Sequence, residues 1–372
     1  MTLTKQRLNN LFFLLGCAAI VVMLLTFEVS FIELWQHLCH AGYWLIPIIG
    51  VWLLVYALNA LAWLATIKGN CPNLQLETIN GKPVKSVNRK SVNRKSVNRK
   101  SVNRKFFWRI YRLTITGYAL NYATPVGGLG GEPYRIMELS KDVDKEHATS
   151  SVILYAMMHF FAHFWFWFIS IFIYLVLAVV GDMPMTPVIA SVLAVIVAFC
   201  LLAFYLFSQG YRKGLVKYIL GVAAHIPGLK RWTLRFWARH SEAIENIDRQ
   251  IASLHGQDKE AFYKSLFYEF MSRVVQSSEV LFMLLLFGID NGGGLTGICI
   301  TYLHSILIVS FTTLFANLIG FLPMQLGVQE GGFVLSIAAL GLSAALGIFV
   351  SIICRVREIF WIAVGMLLMK MK

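Results

Sequence analysis

Long apolar stretches with few charges recur along the chain and constrain its fold more than any other feature. They lie at about residues 11–27, 43–67, 150–181, 187–208, 266–289, 295–322 and 333–369, and the last is long enough for two helices. A membrane-spanning helix needs ~20 such residues, because the hydrocarbon core is ~30 Å thick and a helix rises ~1.5 Å per residue. The sequence therefore predicts an all-α, polytopic integral membrane helix bundle with seven or eight transmembrane helices.

Composition supports a membrane protein and excludes a soluble enzyme. Of the 372 residues, 58% are hydrophobic and only 14% are charged, far from the balance of a globular domain. The six cysteines are scattered and form no CxxC pair or metal-ligand spacing, so we expect no disulfide framework, metal or other cofactor. Leu14 to Cys17 faintly resembles a lipoprotein cleavage box, but the apolar run continues through Phe27, which favours an uncleaved first helix.

Two basic segments predict the orientation, because Lys and Arg collect on the cytoplasmic flanks of membrane helices. Segment 68–112 contains four copies of Ser-Val-Asn-Arg-Lys at 86–105, which supply eight of the net charge of +14. We expect this tract to be disordered, either as an insertion in a tolerant loop or as a basic tether for anionic lipid headgroups. Segment 209–264 is the second basic loop, and Trp232 and Phe236 suggest an amphipathic helix on the membrane surface rather than nucleic-acid binding.

The positions of these two loops predict a return inside the membrane. With both loops cytoplasmic, residues 1–372 form one multi-pass domain of a bacterial inner membrane, with a cytoplasmic N-terminus. The runs at 150–181 and 187–208 form a hairpin with two crossings. The segment from Leu113 to Gly131 must then cross an even number of times, and at fewer than twenty residues it cannot cross twice. We therefore expect it to enter the membrane and return near Pro125.

Two similar segments, 121–135 and 317–332, interrupt the apolar pattern in the two halves of the chain. Each contains a proline, a glycine-bearing stretch and a glutamate seven residues after the proline, with an asparagine upstream. Such paired segments indicate the substrate site of a transporter built from internal repeats, and they are expected to be broken helices with open backbone groups. The candidate substrate-binding residues here are Asn121, Pro125, Gly128, Gly131, Glu132, Arg135, Asn317, Pro323, Gly327 and Glu330.

Two interpretations of these segments stay open. In the first, Glu132 and Glu330 face a common polar cavity, where a carboxylate meets a cation, a proton or a hydroxyl-rich headgroup. In the second, the glycines serve close helix packing and the glutamates form salt bridges with Arg135 and Arg355. The duplication favours the cavity.

Other charged residues fall within apolar runs. Glu279 lies deep in its run and is a further candidate for the cavity, neutralised by an arginine from another helix. Arg355 should face the bundle interior, where it can hold a phosphate. Glu269 and Arg273 are spaced i, i+4 near the cytoplasmic end, so we expect them at the interface.

His159 and His163 are also spaced i, i+4, on a helix crowded with aromatic residues. We expect a packing role for them, with contact to a headgroup or a proton as the alternative. No third ligand for a metal is evident.

At these motifs the chain resembles the membrane domain of the lysylphosphatidylglycerol synthase/flippase family, from the first helix to Met369. The matching residues are Arg112, Gly117, Asn121, Pro125, Gly130, Gly131, Glu132, Arg135, Leu139, Pro323, Gly327, Glu330 and Arg355. The resemblance implies a domain that moves a lipid, such as an aminoacylated phospholipid, between leaflets. Full-length synthases also carry a soluble aminoacyltransferase domain, whereas this chain ends at Lys372, so we expect the stand-alone form without lysyl transfer. Met324 and Gln325 are bulkier than the expected glycines.

The sequence thus predicts a flippase-like lipid transporter that moves or binds a phospholipid or lipid-linked headgroup at a central cavity, with no catalytic residue assigned. The alternative is an integral-membrane transferase acting on lipid-linked sugars or phospholipids, with Glu132 or Glu330 as a base. Against it, the first outer loop offers only Glu28 and Glu33. A third possibility is a structural or regulatory partner of another enzyme. The expected partners are membrane lipids and not nucleic acid.

Overall fold

The computed structural model shows a bundle of helices. It describes residues 42–70, 78–79, 82–83, 94–123, 130–181, 183–213, 259–318 and 328–371, with scattered positions between 217 and 248. Strands β1 (Thr78–Ile79) and β2 (Lys82–Pro83) form a short antiparallel pair. The main helices are α1 (Leu45–Asn70), α2 (Arg94–Ala123), α3 (Glu132–Leu139), α4 (Lys145–Val180), α5 (Pro187–Lys213), α6 (Lys259–Leu286), α7 (Gly294–Leu318), α8 (Val328–Ala339) and α9 (Ala344–Lys370).

Several helices have the length and composition of membrane spans. Among the described residues, four helices are long and apolar enough to cross a membrane: Gly42–Gly69, His147–Val180, Pro187–Gln209 and Gly294–Leu318. Helices α6 and α9 reach 28 and 27 residues, but they carry charged side chains that are buried inside the bundle. The prediction of a polytopic helical membrane protein is confirmed. The first predicted run, 11–27, lies outside the described residues.

Helices α2 and α3 form a hairpin. The backbone NH of Gly131 donates to Asn121 Oδ1 over 2.6 Å, and a Cβ on Gly131 would lie 2.1 Å from the carbonyl oxygen of Gly117. Glycine is therefore needed where the two arms touch. At the other end of the hairpin, Arg109 Nε pairs with Asp142 Oδ2 at 3.1 Å. The two ends of the hairpin, at Arg109 and Asp142, therefore lie next to each other.

Helix α8 runs back between α7 and α9. The hydroxyls of Thr312 and Ser336 lie 3.2 Å apart, which joins α7 to α8. On the opposite side, a Cβ on Gly347 would lie 2.6 Å from Cα of Val334, so α9 packs against α8 at backbone distance. A second hairpin with a short return helix therefore occupies the other half of the bundle.

The length of α8 decides between two alternatives for the end of the chain. From the sequence, the region from Leu322 to Met369 can form one re-entrant loop plus one crossing or two crossings, and Lys370 and Lys372 favour a cytoplasmic C-terminus and hence two. Helix α8 has only 12 residues, about 18 Å at 1.5 Å per residue, and cannot cross a ~30 Å core alone. The described residues fit one short return helix followed by one full-length helix, α9.

The basic segments are more helical than expected. Helix α2 begins at Arg94, so the prediction of disorder is wrong for residues 94–105, and 94–112 is not a loop. The repeats contain no Gly or Pro, and Lys and Arg have a high helix propensity. A helix nucleated in the buried part of α2 can therefore extend back into the repeats. In the second segment, residues 233–239 are helical and Leu234 and Phe236 are exposed, while the amphipathic surface helix stays a prediction.

Candidate functional site

A polar cavity of about 210 Å³ lies within the bundle, with walls from α1, α2, α4, α6, α7, α8 and α9. This volume is far more than a single water molecule needs. Four of the wall side chains are charged, namely Arg273, Glu279, Arg357 and Glu358. The neutral polar lining consists of Asn59, Tyr118, Asn121, Tyr122, His159, His163, Gln276, Thr312, Thr313, Asn317 and Gln329.

The structure places three predicted site residues on the cavity wall: Asn121, Glu279 and Asn317. Five others lie in the layer behind the wall or beside it: Gly131, Glu132, Arg135, Glu330 and Arg355. The remaining four, Pro125, Gly128, Pro323 and Gly327, lie outside the described residues. The two motifs therefore approach one cavity through their asparagines, while their glutamates are engaged in ion pairs.

Arg135 is enclosed between the first motif and a ring of aromatic residues. Its Nη1 pairs with Glu132 Oε1 at 2.7 Å. Its Cζ lies 5.0 to 5.6 Å from three ring centroids, those of Tyr118, Tyr155 and Trp63. Because a Cβ on Gly117 would lie 2.1 Å from Arg135 Nε, that glycine leaves the room for the guanidinium. A desolvated cation is thus held by one carboxylate and by cation–π contacts, one of which reaches the cavity through Tyr118.

Arg355 holds the second motif in a similar way. Its Nε pairs with Glu330 Oε1 at 2.7 Å, and its Nη1 pairs with Glu358 Oε2 at 2.8 Å. The other oxygen of Glu358 accepts from Gln329 Nε2 over 3.1 Å. Both Gln329 and Glu358 line the cavity. The second motif therefore contributes to the wall through the partners of its ion pair.

Glu279 is neutralised by an arginine from another helix, as the sequence predicted. Arg357 Nε and Nη2 donate to its two oxygens over 2.8 and 3.3 Å, a bidentate pair. Trp52 Nε1 donates to Glu279 Oε2 over 2.8 Å, and the Arg357 Cζ lies 4.0 Å from the Trp52 ring centroid. The three side chains form a rigid charged corner of the cavity.

The two motif glutamates share a further feature. In both Glu132 and Glu330, Oε1 pairs with an arginine, while Oε2 is buried and has no hydrogen-bond partner among the described residues. Buried acceptors are usually paired, so these oxygens are suited to receive a donor from a ligand or water. The ion pairs agree with the interpretation in which the glutamates serve helix packing. The Oε2 atoms without a partner agree with the interpretation in which the glutamates serve the polar cavity.

Glu269 and Arg273 do not lie at an interface, contrary to the prediction. The Glu269 side chain is fully buried, and its Oε2 lies 2.9 Å from His159 Nδ1. Arg273 Nη2 lies 2.7 Å from His159 Nε2. The position of these two residues near one end of their apolar run predicted a location at the membrane surface. They are buried instead, because α6 is already inside the bundle after its first three turns. Among the described residues, no group of three potential metal ligands occurs.

Sequence reasoning missed several wall residues. Arg357 and Glu358 are charged residues inside the last apolar run, as Arg355 is, but only Arg355 was predicted to bind the substrate. Trp52 and Tyr118 gave no signal beyond an aromatic residue in an apolar run, which ordinarily indicates packing or an interfacial belt. Their roles depend on contacts across the fold: Trp52 and Glu279 are 227 residues apart in sequence.

Comparison with known proteins agrees with this architecture. Residues 13–365 match the family model for the lysylphosphatidylglycerol synthase TM region. The chain belongs to this family. No curated protein and no solved structure shows a significant match. Membership in the lysylphosphatidylglycerol synthase transmembrane family identifies a multi-pass membrane protein related to lipid handling.

Proposed function

We propose that the protein binds the headgroup of a phospholipid or lipid-linked molecule in the polar cavity and carries it between the leaflets. The observation that supports this most directly is the cavity itself, which holds two arginines, two glutamates and several amides inside an apolar helix bundle. A charged headgroup can leave the interface only if such groups replace its water.

The two hairpins suit this role. Asn121 stands at the end of α2, Asn317 at the end of α7 and Gln329 at the start of α8, so both interrupted segments contribute polar groups to the same space. We place both hairpins as re-entrant elements of a bacterial inner membrane, with the N-terminus and the basic segments in the cytoplasm. Membranes tolerate interrupted helices where they line a polar cavity.

The test is leaflet exchange of a headgroup-labelled phosphatidylglycerol in vesicles that contain the purified protein. Asn317 lines the cavity and is exposed, so Asn317→Trp should fill the space and stop exchange without disturbing a packed core. Leu318→Trp is the matched control, because the neighbouring Leu318 is 58% exposed and does not line the cavity. Equal exchange rates for both variants would reject transport through the cavity.

The motif glutamates give a second arm of the same experiment. Glu132→Ala or Glu330→Ala should abolish exchange while membrane insertion stays intact, since each removes a carboxylate that pairs with a buried arginine beside the cavity, and Arg355 keeps Glu358 in the second case. A transferase would instead convert labelled lipid-linked donors into a new product, which chromatography of the extracted lipids would detect. Unchanged exchange in both alanine variants would contradict the proposal.

A further inference from the structure

A buried carboxylate, an imidazole and a guanidinium meet behind one wall of the cavity. Glu269 has no exposed side-chain surface, and its Oε1 has no hydrogen-bond partner among the described residues. Its Oε2 lies 2.9 Å from His159 Nδ1 and 3.7 Å from Arg273 Nη2. His159 and Arg273 both line the cavity, whereas Glu269 lies behind them. The carboxylate is therefore reached from the cavity through these two residues.

The contacts assign the tautomer of His159. A guanidinium only donates, so one of the two ring nitrogens must accept a hydrogen bond from it. Arg273 Nη2 lies 2.7 Å from Nε2 and 2.8 Å from Nδ1, and Nε2 has no other polar neighbour among the described residues. Nδ1 also lies 2.9 Å from Glu269 Oε2, and a carboxylate oxygen accepts, so the proton sits on Nδ1 and Nε2 is left to accept from Arg273. In this arrangement His159 is neutral and Glu269 is a carboxylate.

Other ionisable groups face this cluster from the neighbouring helices. Tyr118 on α2 lies 3.2 Å from His159 Nδ1 and 3.3 Å from the hydroxyl of Tyr155 on α4. Arg135 on α3 stands over both tyrosine rings and is paired with Glu132, which leaves it little capacity to neutralise Glu269. His163 on α4 lies one turn from His159 and contacts its carbonyl oxygen. Glu269 is thus the anion of this cluster, and Arg273 is its nearest cation.

A proton can reach Glu269 by a balanced exchange through His159. A hydronium ion in the cavity gives a proton to Nε2 and leaves as water, and the proton on Nδ1 passes to Glu269 Oε2. His159 ends neutral with its tautomer reversed, and Glu269 ends as a neutral acid. Arg273 then loses the carboxylate charge of Glu269 and the acceptor at Nε2, while Nδ1 accepts from the new acid; among the described residues, the guanidinium keeps only the neutral contact of its Nη1 with Gln276 Oε1 at 3.3 Å. Its guanidinium becomes an uncompensated cation on the cavity wall.

We infer that Glu269 is a proton-binding site and that its protonation frees Arg273 to bind a phosphate-bearing anion in the cavity. The inference rests on the proposed function, for which it supplies a coupling ion. Proton and anion then favour each other's binding reciprocally.

Among the described residues, the other charged side chains in and behind the cavity wall give the anion no free cation. They include two arginines and three glutamates linked by ion pairs: Glu279, Arg357 and Glu358 on the wall, and Glu330 and Arg355 behind it. This set carries excess negative charge when all five side chains are ionised. An anion entering the cavity is repelled there, so it depends on Arg273.

The test measures binding and proton uptake together on the full chain in detergent. The affinity for short-chain phosphatidylglycerol is determined from about pH 5 to about pH 9, together with the protons taken up. One linked proton should change the dissociation constant by up to about tenfold per pH unit, with tighter binding at low pH. A parallel titration with inorganic phosphate shows whether the phosphate group suffices or the lipid is required.

Two glutamine variants separate the proton site from general charge effects. Glu269→Gln has the shape of the protonated acid, so it should bind as tightly at high pH as the wild type does at low pH, without proton uptake. Glu260→Gln is the matched control on the same helix, since Glu260 is exposed and paired with Lys264, and it should keep the wild-type pH dependence.

Binding by the wild type that is independent of pH, without proton uptake, would overturn the inference, as would unchanged pH dependence in Glu269→Gln. If the glutamine variant fails to fold, proton uptake by the wild type still decides. The binding assay does not depend on leaflet exchange, so the two proposals can fail separately. If binding is linked to proton uptake but no leaflet exchange occurs, only translocation is rejected. If leaflet exchange occurs but binding is not linked to protons, only the proton site is rejected.

Discussion

At the scale of single residues, each arginine of the site is fixed by a carboxylate together with a neighbour that shapes its position. Arg135 needs the space above Gly117, and Arg357 needs the ring of Trp52. Buried ion pairs gain little unless their geometry is good and their remaining hydrogen bonds are satisfied. Small changes beside an arginine should therefore matter as much as changes of the charge itself.

Replacing Gly117 with alanine should displace the Arg135 guanidinium, because the new Cβ would lie 2.1 Å from its Nε. Overpacking of this kind costs about 1–3 kcal/mol. Thermal unfolding in detergent should show the loss, and lipid exchange should fall with it. Gly50→Ala in helix α1 is the control, since a Cβ added there would have no atom within 4 Å, and it should be neutral or stabilising. Equal effects of both substitutions would contradict the role of Gly117.

Replacing Trp52 with phenylalanine should remove one hydrogen bond from Glu279 while keeping an aromatic face for Arg357. A hydrogen bond to a charged acceptor contributes about 1.5–3 kcal/mol, so the unfolding temperature should fall measurably. Trp63→Phe provides the comparison, because Trp63 Nε1 is buried without a hydrogen-bond partner among the described residues and Trp63 also stands beside an arginine. A larger loss for Trp63→Phe would show that ring size, and not the hydrogen bond, governs the effect.

At the scale of elements, the sequence predicted the spans, both interruptions and the ion pairs of Glu279 and the motif glutamates, but not how the helices cross one another. Hydropathy is a local property, so it located α1, α4, α5 and α7. The pairing of Glu269 with His159 depends on the crossing of α4 and α6, which no periodicity reveals. The start of α2 was missed because composition alone suggested disorder, although nothing in the repeats stops a helix.

Helix α4 begins at a charged cap that makes its stability depend on pH. Partial burial opposes ionisation of Asp144, but hydrogen bonds from the backbone and side chain of His147 outweigh it and lower the pKa of this carboxyl. The cap therefore stabilises the fold above the unfolded pKa and is lost as the pH falls through the lowered value. Asp144→Ala should cost about 1 kcal/mol at neutral pH and less in acid.

Thermal unfolding at neutral and acidic pH checks this prediction. Ser343 caps α9 with a hydroxyl that accepts from the backbone NH of Leu346 over 3.3 Å. Because a serine does not titrate, Ser343→Ala should cost a similar amount at both pH values. A loss at Asp144 that stays constant with pH would show that its charge contributes nothing.

The α2–α3 hairpin should enter and leave the membrane on the same side. Exposed Lys105 and Lys145 flank it, and exposed Leu295 starts α7 at the opposite end of the bundle. In a chain whose native cysteines are replaced, cysteines at 105 and 145 should react with an impermeant maleimide from one face, and cysteine at 295 from the other. Labelling of 105 and 145 from opposite faces would exclude a re-entrant hairpin.

At the scale of the whole molecule, orientation sets which compartment would supply lipids and protons to the cavity in the proposed function. The repeats at 86–105 supply eight of the net charge of +14, but segment 209–264 is also rich in Lys and Arg. Since positive charge near the ends of membrane spans determines their orientation, either basic segment alone should be enough to keep the bundle in the same orientation. The C-terminal end of α9 lies beside the basic segment 68–112, because Arg112 Nη1 donates to the carbonyl oxygen of Met371 over 3.1 Å. Replacing the eight Lys and Arg of the repeats with Gln should therefore leave a reporter at the C-terminus cytoplasmic, as a fused green fluorescent protein would show. Neutralising the basic residues of 209–264 as well should produce a mixed orientation, detected as activity of a fused alkaline phosphatase. Inversion after loss of the repeats alone would mean that the tract, rather than both segments together, sets the orientation.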